Sequence, residues 1–118
     1  MVMKDNVVKN KSFDFALRII KFYKFLVDVK KEYILSKQIL RSGTAIGALV
    51  REAEQGESKA DFIHKMSIGL KEANETDYWI ELLFKSDYID KKTYSSISSD
   101  LKELLKLLIS IIKTTKNN

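Results

Sequence analysis

The sequence predicts an all-α chain folded as an antiparallel, up-down-up-down four-helix bundle. Apolar residues recur at alternating spacings of four and three along four separate segments, which places them on one stripe of each helix. The 118 residues include no proline and only four glycines, so little interrupts a long helix. The links between the segments are a few residues long, which favours antiparallel neighbours. A chain of this length suits one domain with one modest core. It reads as a flexible N-terminal arm over residues 1–11 and a single bundle over residues 12–116.

The first helix is predicted to open at Ser12, whose hydroxyl can accept from an amide of the opening turn. Phe15, Ile19, Phe22, Leu26 and Val29 form its inner stripe, widened by Ala16, Ile20, Tyr23 and Val27. It should fade near Lys30 to Tyr33. The second helix is predicted from Ser36 to Gly56, with the glycine in a left-handed closing position. Its stripe is Ile39, Gly43, Ile46, Val50 and Ala53. Gly43, Ala45, Gly47 and Ala48 are small for a helix interior, where glycine costs about 1 kcal/mol relative to alanine. Close approach of a neighbouring helix would offset that cost; the alternative is a bend or break around Ser42 to Thr44.

Ser58 and Asp61 resemble a capping box and should open the third helix. Phe62, Met66, Gly69, Ala73, Thr76, Ile80 and Leu83 then keep the four-three rhythm, with Ile63, Leu70 and Phe84 beside them. This helix should stop near Ser86, and Asp90 should cap the fourth. The fourth stripe is Tyr94, Ile97, Leu101, Leu104, Leu108 and Ile111. Leu105, Leu107, Ile109 and Ile112 add apolar surface beyond that stripe, which points to a second buried face and a homo-oligomer interface. A simply wide core is the alternative.

The composition, 45% hydrophobic and 31% charged, excludes a disordered chain. The absence of cysteine excludes disulfides, thiol nucleophiles and thiolate metal sites. The N-terminus has no apolar secretory stretch. The greasiest segment, Leu101 to Ile112, is broken by Lys102, Glu103 and Lys106 and is too short and charged to span a bilayer. A cytoplasmic location is expected, with no membrane partner.

Catalysis finds little support in the side chains. His64 is the only histidine, and Asp61 three residues earlier gives one fragment of the paired motifs that a di-metal bundle needs. Glu52, Glu54, Glu72, Glu75 and Glu81 read as a solvated or bridged face, with Glu72 and Glu75 at the edges of the inner position Ala73 and paired to Lys or Arg. No phosphate loop, nucleophile elbow or zinc spacing occurs. Tyr78 and Trp79 point about 100° apart, one toward the core or an interface and the other at its rim. No enzyme activity, cofactor, metal or small-molecule substrate is expected.

The net charge of +5 is unevenly spread. Residues 1–41 carry ten Lys/Arg against four Asp/Glu, residues 42–90 five against ten, and residues 91–118 six against two. Lys11, Arg18, Lys21 and Lys24 of the first helix and Lys102, Lys106, Lys113 and Lys116 of the fourth form the candidate nucleic-acid-binding set. First and last helices are neighbours in an up-down bundle, so the two groups are expected to merge into one positive surface. The alternative is an ordinary solubilising face, since only Arg18, Arg41 and Arg51 offer guanidinium forks.

The run Ser36 to Ala48 followed by Glu52-Ala53, the run Ser58 to Met66, and Leu70 to Thr76 with Tyr78-Trp79 together form a recognisable pattern. With Phe15 to Ile20 and Tyr23 to Leu26, it resembles the four-helix-bundle proteins related to those encoded in 23S rRNA intervening sequences. The resemblance covers nearly the whole chain apart from the arm and the fourth helix. It implies an up-and-down bundle that commonly assembles as a ring-like homopentamer. It also implies kinship with accessory proteins of diversity-generating retroelements, which bind a reverse transcriptase and nucleic acid through a basic pentamer surface. Leu49 departs from the pattern, standing where members often carry asparagine. The expected function is a non-enzymatic, self-associating bundle that contacts nucleic acid or a nucleoprotein partner. A protein–protein adaptor with no nucleic-acid role is the alternative.

Overall fold

The computed structural model describes residues 7–118, which fold into α1 (Val7–Asp28), α2 (Leu35–Glu54), α3 (Lys59–Lys85) and α4 (Lys91–Lys116). There is no strand among the described residues. The helices run up-down-up-down in a bundle about 46 Å long and 18–20 Å across. Each helix packs on its chain neighbours, and α1 closes onto α4 along the most thinly packed seam.

The four-three rhythm decides what is buried. In α3 all seven expected inner positions, from Phe62 to Leu83, are buried. Ser58 caps this helix, accepting from the Asp61 amide at 3.0 Å, and Ser86 closes it. Asp90 caps α4 by accepting from the Thr93 amide at 2.7 Å, which holds its carboxyl below the usual range. At the far end of α4, Ile112 rather than Ile111 takes the innermost place.

α1 corrects expectations at both of its ends. The helix already includes Val7, so Ser12 is no cap: it lies inside, fully buried, its hydroxyl donating to the Lys9 carbonyl at 3.1 Å. Val8, one heptad before Phe15, is also buried, and that apolar contact extends the helix through residues expected to be an arm. Residues 1–6 of that expected arm lie outside the described residues. Val29 was expected inward but is 63% exposed, because the helix ends at Asp28 and Lys31 turns the chain with a φ of 56°.

α2 opens one residue before Ser36 and is capped from outside by Glu32. The Glu32 carboxylate accepts from the amides of Ile34, Leu35 and Ser36 at 3.2, 3.0 and 2.6 Å, and the Ser36 hydroxyl donates to the Glu32 carbonyl. The helix is unbroken at Ser42 to Thr44, and the close approach expected there is present. A Cβ on Gly43 would stand 2.9 Å from the Ile19 side chain, and one on Gly47 would stand 3.3 Å from the Ser12 carbonyl oxygen. Gly56 follows the end of α2 but without a left-handed φ. Space selects it, since a Cβ would meet the Ala53 carbonyl at 2.9 Å.

Candidate functional site

The expected positive surface is split by helix geometry. Lys11 and Arg18 on α1 face α4, but there they meet Glu103 and Asp100. Arg18 lies 2.5 Å from Asp100 and also donates to the Ser96 hydroxyl (2.7 Å) and carbonyl (3.3 Å). The Lys11–Glu103 contact raises the lysine pKa. These two cations therefore close the α1–α4 seam. At 100° per residue, Lys102, Lys106 and Lys113 lie roughly 90–130° around α4 from the direction midway between Asp100 and Glu103, turned away from α1. They and Lys116 are exposed, with no carboxylate within ion-pair distance among the described residues. Lys21 and Lys24 are exposed on α1. The set thus divides into a seam, two α1 lysines and an α4 row.

The outer face of α4 carries an open groove of about 480 Å³, lined by residues of this helix alone, Glu103 among them. Lys102 and Lys106 stand over it, with Ser95, Ser98 and Ser99 one to three turns toward the helix start. Tyr94 closes its head, stacked on Phe84 with centroids 4.3 Å apart and planes 9° from parallel.

The apolar residues expected as an interface on α4 turn mostly toward the core. Ile112 is 8% exposed and belongs to the core, while Leu105 and Leu107 are half-buried against it. Only Ile109, 51% exposed, points outward, because the α4 stripe is wide enough to use the others. The apolar excess is on α1. Phe13 and Leu17 are each 47% exposed and Ile20 is 36% exposed, all roughly 120–180° from the core stripe. Their spacing of four and three repeats the core rhythm two residues out of step, a signal present in the sequence. The Arg51 guanidinium lies 5.2 Å over the Phe13 ring, at the α2 edge of this ridge.

The remaining candidates are structural. Arg41 on α2 clamps both Glu72 oxygens (3.2 and 3.3 Å) and also pairs with Glu75. The Trp79 indole donates to Glu75 at 3.0 Å and, with Arg41, holds that carboxyl below its usual range against the opposing effect of burial. Beneath them the Thr76 hydroxyl meets Ser42 Oγ at 2.9 Å across the core. Trp79 is half-buried and Tyr78 lies outside it. His64 is exposed, and no group of three or more His, Cys, Asp or Glu among the described residues could hold a metal. No described helix is long and apolar enough to cross a membrane.

Fold and surfaces together define a small helical bundle whose polar clusters staple helices to one another and whose outer faces differ in character. The chain belongs to the 23S rRNA-intervening sequence protein family, whose sequence model matches residues 4–110. It is similar to a solved protein of unknown function from the S23 ribosomal protein family of Bacteroides thetaiotaomicron. That likeness has 64% identity and a TM-score of 0.92, and covers 94% of this chain and 99% of the other. No curated protein matches the chain.

Proposed function

We propose that this chain is a non-enzymatic cytoplasmic protein that associates with copies of itself through the outer face of α1 and offers the α4 lysine row to nucleic acid. The observation that carries this reading is the separation of the two faces. The Phe13, Leu17 and Ile20 ridge and the unpaired α4 lysines lie on different helices and point in different directions. Covering the ridge therefore leaves the lysines free to meet phosphates. Three large apolar side chains in one exposed row favour coverage by another chain. The resemblance to ring-forming family members supports a second copy as the cover, with five subunits as the expected number.

Sedimentation of the full chain at micromolar concentration should give an assembly, and Leu17→Glu should reduce it to monomer while helical content stays unchanged. Titration with RNA and DNA should show binding that weakens steeply with salt. A wild-type monomer, or no nucleic-acid binding even at low salt, removes the corresponding half of the reading. A monomer that instead retains another polypeptide, insensitive to nuclease and salt, would establish the adaptor alternative.

A further inference from the structure

α1 carries two apolar surfaces that its own bundle leaves uncovered. One is the Phe13, Leu17 and Ile20 ridge, on the flank nearer α2. The other lies on the opposite flank, where α1 and α4 approach closely along little of their length. There the seam opens into a groove of about 330 Å³ lined by Phe22, Phe25 and Ile97, with Arg18 and Lys21 on its α1 wall and Thr93 on its α4 wall. Phe22 and Ile97 form the floor, and Phe25 is 37% exposed at the rim. Arg18 also borders the cleft beside Lys11 and Glu103, so the opening follows the seam along α1. Phe25 and Lys21 stand roughly 100–140° from the core stripe in one rotational sense, and the ridge roughly 120–180° in the other.

We propose that the ridge of one copy seats in the α1–α4 groove of the next. This head-to-tail contact rests on the self-association reading above and names the surface that receives the ridge. A copy's ridge faces away from its own groove, so only a second copy can bring the two together. Three apolar knobs spaced four and three suit a groove between two helices. Laying ridge on ridge would leave the Phe25 groove in water, whereas seating ridge in groove removes both apolar surfaces from water. The charges agree. Asp14 flanks the ridge and Lys21 walls the groove; both are exposed, and neither has a partner within ion-pair distance among the described residues. With the two α1 helices parallel and Leu17 over Phe22 and Phe25, Asp14 of one copy comes level with Lys21 of the next. A contact between two different surfaces closes into a ring when the rotation permits, which is compatible with the five subunits expected above.

The test uses the full chain, followed by sedimentation. Leu17→Glu spoils the ridge and Phe25→Glu spoils the groove, so each variant alone should run as a monomer with helical content unchanged. An equimolar mixture keeps one good ridge and one good groove, and should run as a 1:1 pair that grows no further. A mixture that stays monomeric overturns the proposal. So does an assembly undisturbed by Phe25→Glu, the outcome of ridge-on-ridge pairing. A second readout does not need Phe25→Glu to fold. The chain has no cysteine, so an introduced thiol has no competitor. Leu17→Cys and Thr93→Cys proteins, mixed and treated with a short bis-maleimide, should couple to each other. Coupling of Leu17→Cys chiefly to itself, or no mixed product from variants that still assemble, overturns the groove assignment. Wild-type protein that runs as a monomer refutes self-association itself, a result distinct from each of these, in which wild type assembles.

Discussion

Glu32 is the residue on which the start of α2 turns. Three amides at the opening of a helix have no partner within it, and here a single buried carboxylate takes all three. Burial alone would push the Glu32 pKa up. The amides of Leu35, Ser36 and Ile34 and the Ser36 hydroxyl outweigh it, so the carboxyl ionises below its ordinary value of 4.5. A folded-state pKa below the unfolded one means that the stabilisation is fully present above pH 4.5 and is lost as pH falls through the folded value. Glu32→Gln should cost about 1–2 kcal/mol at neutral pH. In urea unfolding followed by circular dichroism, its gap to wild type should close in acid. A gap that stays constant from neutral pH to well below 4.5 would show that the charge is irrelevant to the cap.

At the scale of the helix, the same substitution should have opposite signs at two glycines. Gly43 faces the stem of Ile19, a β-branched side chain with no exposure, so a methyl group there has nowhere to go. Gly43→Ala should destabilise by about 1–2 kcal/mol, overpacking outweighing the gain in helix propensity. A Cβ on Gly69 would meet Leu49 Cβ at 3.6 Å, an ordinary contact, so Gly69→Ala should stabilise by about 0.5–1 kcal/mol. Chemical denaturation of both variants checks the pair, and shifts of the same sign would contradict the packing argument. α3 was legible from its residues because register and both ends are written in them: Ser58 and Asp61 open it, and seven inward positions follow without a slip. α1 was less so. Ser12 is a capping residue by type, and the burial of Val8, one heptad before Phe15 in an otherwise polar stretch with Val7, carries the helix past it. Glu32 is not a usual cap residue and acts from outside the helix, so no local pattern marks it. Among the surface candidates, the residue types were legible and their directions were not. Which side of α4 faces α1 decides that Lys11 and Arg18 meet acids while Lys102 and Lys106 do not.

The whole molecule is unevenly fastened. α1 packs on α2, α2 on α3 and α3 on α4 through dense apolar stripes, whereas α1 and α4 approach closely along much less of their length. The Arg18–Asp100 and Lys11–Glu103 pairs bridge that seam, and the four side chains border a cleft of about 160 Å³. Each pair is partly exposed, so each fastens the seam weakly and is screened by salt. Opening of the bundle should therefore begin by α4 loosening from α1, with α2 and α3 holding together longest. Native-state hydrogen exchange should find the lowest opening free energy in α4. About 0.5 M salt or Arg18→Ala should lower it further by up to about 1 kcal/mol, leaving α2 and α3 nearly unchanged. Equal protection across all four helices, unmoved by salt, would mean that the thin seam is no weaker than the dense ones.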